Sequence, residues 1–174
     1  CKVVPVFHPF SVIQEPKNRF LFELDIKNNY NTHILKKVVP TDFKYTVISS
    51  TDDLEKWKYL TDTDEDIALD IETTGLDFVK DQIYTVAISC NDETLVIPYK
   101  HPELEWCMGD LTIVSNFLQD VMKNPNNDKA LHNAKFDLKF LYRQGIRECH
   151  RAIDTALLSH FIDENTPNSL MECV

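Results

Sequence analysis

The segment Ile67-Ala68-Leu69-Asp70-Ile71-Glu72-Thr73-Thr74-Gly75-Leu76 alternates in polarity and then runs into a turn. Side chains alternate faces along a strand. Ile67, Leu69 and Ile71 therefore predict one face, and Ala68, Asp70 and Glu72 the other. Two like charges held side by side at the end of a buried strand are costly unless something neutralises them. A divalent cation does so, because hard cations take carboxylate oxygens. A strand end whose acids simply reach water fits the same residues.

A second segment, Lys129-Ala130-Leu131-His132-Asn133-Ala134-Lys135-Phe136-Asp137-Leu138-Lys139-Phe140-Leu141, reads as a short strand entering a helix. Asn133 is a favoured N-cap type. Asn133, Asp137 and Leu141 follow at i, i+4 spacing and share one face. Phe136 and Phe140 are placed to pack inward. Asp137 falls in the first turn, where an acid also complements the helix dipole by about 0.3–1 kcal/mol. Lys135, Lys139 and Arg143 recur at i, i+4 on the same helix. They suit a phosphate backbone, and equally a solvated helix face.

Taken in order, these segments resemble the first two motifs of the DEDD (DnaQ-like) 3′–5′ exonucleases. Asp-Ile-Glu-Thr-Thr-Gly-Leu is similar to the first motif and Asn-Ala-Lys-Phe-Asp to the second. Ala152-Ile153-Asp154-Thr155-Ala156-Leu157-Leu158-Ser159-His160 is similar to the strand-to-helix step after them. The likeness is nearest to the proofreading domain of family A DNA polymerases, phage enzymes included, and covers residues 44–174.

The resemblance implies an α/β, ribonuclease H-like fold and hydrolysis of the terminal phosphodiester at a single-stranded or frayed DNA 3′ end. It implies two divalent ions, Mg²⁺ or Mn²⁺, roughly 3.5–4 Å apart. Asp70 would bridge both, Glu72 would join it on the ion that activates water, and Asp137 would serve the second ion. Leu76 would wedge against the terminal base; a plain core or turn leucine is the other reading. Thr73 and Thr74 would offer backbone NH or hydroxyl groups to the 3′ end. Asn133 and Phe136 would contact the terminal nucleotides, although Phe136 is as well suited to core packing. Such a pocket suits bases that have already unstacked. The implied partner is a polymerase domain, in the same longer chain or as a separate protein. The implied setting is cytoplasmic, the host cytoplasm if phage-encoded. An RNA-trimming 3′–5′ exonuclease of the ribonuclease D type, or a catalytically dead nuclease-like binding module, has the same motifs.

The family's third motif, Tyr-x-x-x-Asp or His-x-x-x-x-Asp, supplies a fourth carboxylate from a later helix. His150-Arg151-Ala152-Ile153-Asp154 has similar spacing but reads as a strand leading to a turn. Asp154 is then expected to cap the helix that starts near Thr155, and Asp163 to sit near that helix's end. Ser169-Leu170-Met171-Glu172 is a capping box, announcing another helix. The expectation is an exonuclease domain over 44–174, truncated before the third motif, behind an N-terminal extension over 1–43. Pro5, Pro9, Pro16 and Pro40 interrupt that extension, and Phe20–Ile26 has strand-like alternation.

A chain of 174 residues suggests one domain with a real core. No apolar run approaches the roughly 18–20 residues that span a membrane, and the N-terminus has no signal pattern. Cys1, Cys90, Cys107, Cys149 and Cys173 form no Cys-x-x-Cys, so neither a zinc knuckle nor a disulfide framework is indicated. A reducing, intracellular setting fits. The formal charge of −10 argues against non-specific duplex binding, which needs basic surface. Asp62, Asp64 and Asp66 imitate the start of an EF-hand loop, but Ile67 occupies the glycine position and Thr73 the twelfth.

The remaining periodicity predicts a strand over 45–48 and a helix from 51 that buries Leu54, Trp57 and Leu60. Strands are expected over 67–72, 82–90 and 94–99, the last two joined through Asn91-Asp92-Glu93. A helix over 110–123, a strand over 129–131, the Asp137 helix, a strand over 149–153 and a helix from 155 complete the order. Gly145 sits where the Asp137 helix needs its C′ residue. Three antiparallel strands followed by alternating helices and strands make a mixed sheet.

Overall fold

A computed structural model describes residues 19, 22–23, 26–27, 43–164 and 168–170. Phe43–Thr155 form one compact unit; the residues from Ala156 onward are grouped with those before Phe43 in a second. The chain order is β1 (Lys44–Val47), a 3-10 helix (Thr51–Thr61), β2 (Ile67–Thr73), β3 (Ile83–Cys90) and β4 (Glu93–Pro98). Then come α1 (Met108–Lys123), β5 (Lys129–Leu131), α2 (Ala134–Arg143), β6 (Ala152–Asp154) and α3 (Thr155–Ile162).

The six strands form one mixed sheet in the order β1-β4-β3-β2-β5-β6. β2, β3 and β4 are antiparallel neighbours, β5 and β6 add in parallel beyond β2, and β1 lies parallel to β4 at the other edge. This is the mixed α/β, ribonuclease H-like arrangement that the sequence predicts. Asn91 and Asp92 both take positive φ, the backbone of the two-residue hairpin turn that joins antiparallel strands with their native twist.

β2 alternates as expected. Ile67, Leu69 and Ile71 are buried while Ala68, Asp70 and Glu72 face out. The core joins these buried residues to Val86, Ile88, Leu95 and Ile97 of the neighbouring strands and to Val114, Leu118 and Val121 of α1. Its α2 contribution is Ala134, Phe140 and Leu141. Leu54, Trp57 and Leu60 are buried as predicted, but their helix is 3-10 rather than α. The spacing explains this: apolar residues three apart line one face when a turn has three residues. A capping box from Ser50 and Asp53 starts it.

At the far end of β2 the register slips. Glu72 pairs with Thr85 but Thr73 pairs with Ile83, leaving Tyr84 as an extra residue on β3. The Tyr84 carbonyl accepts from the N–H groups of Tyr99 and Lys100. A bulge of this kind bends a strand and re-aims the side chains beside it. Here it lies on β3, opposite the end of β2 that follows the two acids.

Lys129 is fully buried at the start of β5, and burial holds its pKa below the usual lysine value. Its Nζ donates to the carbonyls of Asn124 and Asn127, just past the end of α1. The ammonium thus takes up one carbonyl at the α1 cap and one in the turn that follows it. α2 ends as Gly145 predicts. Gly145 has φ +93, Gly145 N–H donates to Tyr142 O and Ile146 N–H to Leu141 O. Those two bonds make a Schellman ending, with Ile146 and Leu141 both buried.

In the second unit, Arg19, Phe22, Glu23, Ile26 and Lys27 are helical, which overturns the strand reading at Phe22, Glu23 and Ile26. Phe22 and Ile26 are four apart, and Arg19 pairs with Glu23 at 2.7 Å, also i, i+4. Both pairs stabilise a helix and neither would meet along a strand. The Ser169–Glu172 capping box runs into residues outside those described. No described helix is long and apolar enough to cross a membrane.

Candidate active site

β2 continues past the end of β5, which pairs with it only at Ile67–Lys129 and Ala68–Ala130. The chain leaves β5, turns at His132-Asn133 and returns as α2. This places the first turn of α2 over the stretch of β2 that bears the acids. Asp137 is 2% exposed. Its carboxyl is pushed up to about 7 by burial first, then by the charge of Asp70 and, less, of Asp154. The backbone N–H groups of Asp137 and Ile71 act the other way. Asp137 is therefore seated against β2 at Ile71, between the two acids of the first segment.

The Oδ2 of Asp137 is buried and has no hydrogen-bond partner. A buried carboxylate oxygen facing another carboxylate lacks the positive charge that would make its ionised form favourable. A hard divalent cation fits this donor set, with Asp70 and Asp137 the pair that would hold it. Glu72 shares the open face of β2 with Asp70. No three His, Cys, Asp or Glu side chains are gathered as a ready ligand group among the described residues. The structure thus brings two of the three expected acids together and leaves Glu72 beside them.

Asn133 is not the side-chain cap that its residue type predicts. It sits in the left-handed region (φ 60, ψ 51) and its side chain makes no capping bond. Asp154 takes that role from the end of β6: Oδ1 accepts from Asn133 N–H at 3.1 Å and Oδ2 from Ala134 N–H at 2.9 Å. The residue expected to cap the following helix is thus bound to the start of the preceding one. Thr155 is held to the same junction, its hydroxyl 3.2 Å from Leu131 O and 3.0 Å from His132 Nδ1.

Beyond β2, residues 74–82 form a loop organised by Asp81. Asp77 N–H donates to Asp81 Oδ2 and the Thr74 hydroxyl to Oδ1. The Thr73 hydroxyl donates to Gly75 O, and Thr74 N–H to Gln82 O. The hydroxyl hydrogens of Thr73 and Thr74 are thus used inside the loop. A Cβ on Gly75 would lie 2.5 Å from Asp81 Oδ2, so a larger residue there would have to displace the Asp81 side chain that organises the loop. Leu76 is 86% exposed, which removes the core-leucine reading.

Leu76 and Phe78 face Asn133, Lys135, Phe136, Lys139 and Phe140 across a cleft of about 210 Å³. Phe136 packs on Phe140, ring centres 5.0 Å apart, while one side of it lines the cleft. Phe136 thus packs on the core while keeping one side in the cleft. The basic stripe divides: Lys135 and Lys139 line the cleft, and Arg143 is engaged elsewhere, with loop carbonyls. Asp81, Phe78 and the Asp154 cap carry no local signal in the sequence. Their partners lie four to sixty-five residues away.

Comparison with known proteins converges on one family. A family model described as 3′–5′ exonuclease matches residues 45–172. A DNA polymerase I of Synechocystis sp. is 30% identical over 122 residues, covering 68% of this chain. The chain spans only 12% of that relative's length. Among solved structures, Escherichia coli RNase D matches with a TM-score of 0.52 at 20% identity, over 69% of this chain and 29% of that one. The Nibbler EXO domain of Aedes aegypti matches with 0.56 at 12% identity, over 74% and 60%. At such identities the structural likeness speaks for the fold.

Proposed function

The chain belongs to the 3′–5′ exonuclease family, and on that premise we propose that it removes nucleotides from a DNA 3′ end in support of a polymerase. The observation that carries the reading is the buried, partnerless Oδ2 of Asp137 set against the Asp70 strand. The relative named a DNA polymerase I favours DNA over RNA and a polymerase as partner. The exonuclease domain is taken as 44–174, behind an extension over 1–43, in an intracellular setting.

In this reading Asp70, Glu72 and Asp137 hold two Mg²⁺ or Mn²⁺ ions. Bound there, the ions supply activation of a water and stabilisation of the leaving 3′ oxygen. The chain's own residues do the positioning. Leu76 and Phe136 take the terminal base between apolar surfaces, which selects an unstacked, single-stranded end. Asn133 and the backbone at Thr73 fix the sugar and the terminal hydroxyl, the Thr74 N–H being committed to Gln82 O. Lys135 and Lys139 meet the adjoining phosphates. The low basicity of the chain as a whole confines nucleic acid to this cleft rather than spreading it over the surface.

The chain spans only 12% of the polymerase relative's length, so a longer chain is tested beside this one. The test is shortening of 5′-labelled single-stranded DNA and of a matched RNA with Mg²⁺ or Mn²⁺. EDTA and Asp70→Ala are the controls. Metal-dependent loss from the DNA 3′ end, absent in the variant, is the expected result. Faster trimming of RNA would replace the proofreading role with an RNA-processing one. Inactivity of both chains, with DNA still bound, would leave a binding module.

A further inference from the structure

We propose that Arg143 is a positioning residue that latches the 74–82 loop to α2 and so sets the outer wall of the cleft. The inference rests on the exonuclease reading for its consequence, but not for its geometry. Arg143 Nη1 donates to two carbonyls of the loop, Phe78 O at 2.9 Å and Asp81 O at 2.7 Å. One turn earlier on α2, Lys139 Nζ lies 5.2 Å from the centre of the Phe78 ring. The loop therefore has two attachments to one helix face.

That helix is also the floor of the cleft. Asn133, Phe136 and Asp137 precede Arg143 on it, with Asp137 about 9 Å back along the axis at 1.5 Å per residue. A loop fixed to α2 by Arg143 keeps Leu76 at a set distance from Phe136, whatever small motions α2 makes against the sheet. Without Arg143 the Lys139–Phe78 contact would be left to tie the loop to α2. Leu76, Phe78 and Val79 are all exposed, and exposed loops with few buried contacts open at low free energy. Asp81 organises the inside of the loop through Thr74 and Asp77, but those bonds stay within the loop. Arginine suits the task because its planar fork donates in fixed directions, whereas a lysine must order a flexible stem to do so.

The test compares Arg143→Ala and Arg143→Lys with the wild-type chain by three readouts. The first is amide hydrogen exchange over 74–82. The second is affinity for a 5′-labelled single-stranded oligothymidylate in EDTA, where nothing is cleaved. The third is KM against kcat in whichever chain cleaves. Arg143→Ala is expected to speed exchange in the loop and to weaken DNA binding about fivefold to tenfold. KM should rise by the same factor, with kcat within about twofold, because uniform binding is lost and not transition-state binding. Arg143→Lys should recover part of each effect, which a general loss of folding would not allow. Unchanged exchange in Arg143→Ala overturns the latch. So does a loosened loop with unaltered DNA affinity and KM. A wild-type chain that neither binds nor shortens DNA overturns the exonuclease reading instead, and the exchange result then decides on its own whether Arg143 holds the loop.

Discussion

Asp137 has its consequence in stability as well as in binding. Unfolded, its carboxyl titrates near the ordinary 3.8; folded, burial and then Asp70 move it up to about 7. Between those values the folded state keeps a proton that the unfolded state has released. Stability conferred by the protonated form is therefore full below about pH 4 and is lost as pH rises through about 7. Asp137→Asn cannot ionise, and its amide offers Asp70 a donor. In EDTA, the wild-type chain is expected to lose stability between pH 5.5 and pH 8 relative to this variant. The variant should be the more stable by roughly 1–3 kcal/mol at pH 8. Urea titrations at the two pH values measure the difference. Parallel pH slopes for the two proteins would mean that Asp137 is ionised at pH 5.5 already and is not the strained group.

At the level of elements, α2 depends on a residue that lies outside it. Asp154 supplies both capping bonds at the helix start, so Asp154→Ala strands the Asn133 and Ala134 N–H groups and removes a favourable charge from the positive helix end. The expected loss is about 1–2 kcal/mol in urea unfolding, with Asp154→Asn retaining part of the cap because one amide oxygen still accepts. Equal stability of Asp154→Ala and wild type would show that α2 starts without this cap. The same junction marks where the sequence stops being readable. β2, β3, β4 and α1 are legible because alternation and helical spacing are local records of which face is buried. Asp70 and Glu72 on one face of β2 follow from the same rule. That the helix over Thr51–Thr61 is 3-10 is not legible, because Leu54, Trp57 and Leu60 satisfy either period. Asp154 reaches Asn133 only because β5 and β6 pair in parallel, and no local pattern records that pairing. The bulge at Tyr84 and the seating of Asp137 at Ile71 likewise depend on contacts across the sheet. For that reason the acids are legible as candidates, while which two of them meet is not.

For the whole molecule, the acids form part of a formal charge of −10. Such a charge disfavours the compact state through self-repulsion, and any salt relieves some of it. A specific site acts differently: ions that bind the folded chain alone stabilise it by mass action, about 2.7 kcal/mol at a hundred times Kd. Mn²⁺ is therefore expected to raise the melting temperature by about 5–10 °C above a NaCl control of equal ionic strength. Asp70→Ala should lose that increment while keeping the response to NaCl. The increment should also grow from pH 5.5 to pH 8, because the ion must displace the proton that Asp137 keeps at the lower pH. Differential scanning calorimetry of both proteins at the two pH values separates the cases. If Asp70→Ala responds to Mn²⁺ as the wild type does, the ions act on the diffuse charge of the chain, and Asp70 and Asp137 do not share a metal. If only the wild type responds, and more strongly at pH 8, then the stability that metal-free folding loses by burying Asp137 is the same quantity that drives ion binding.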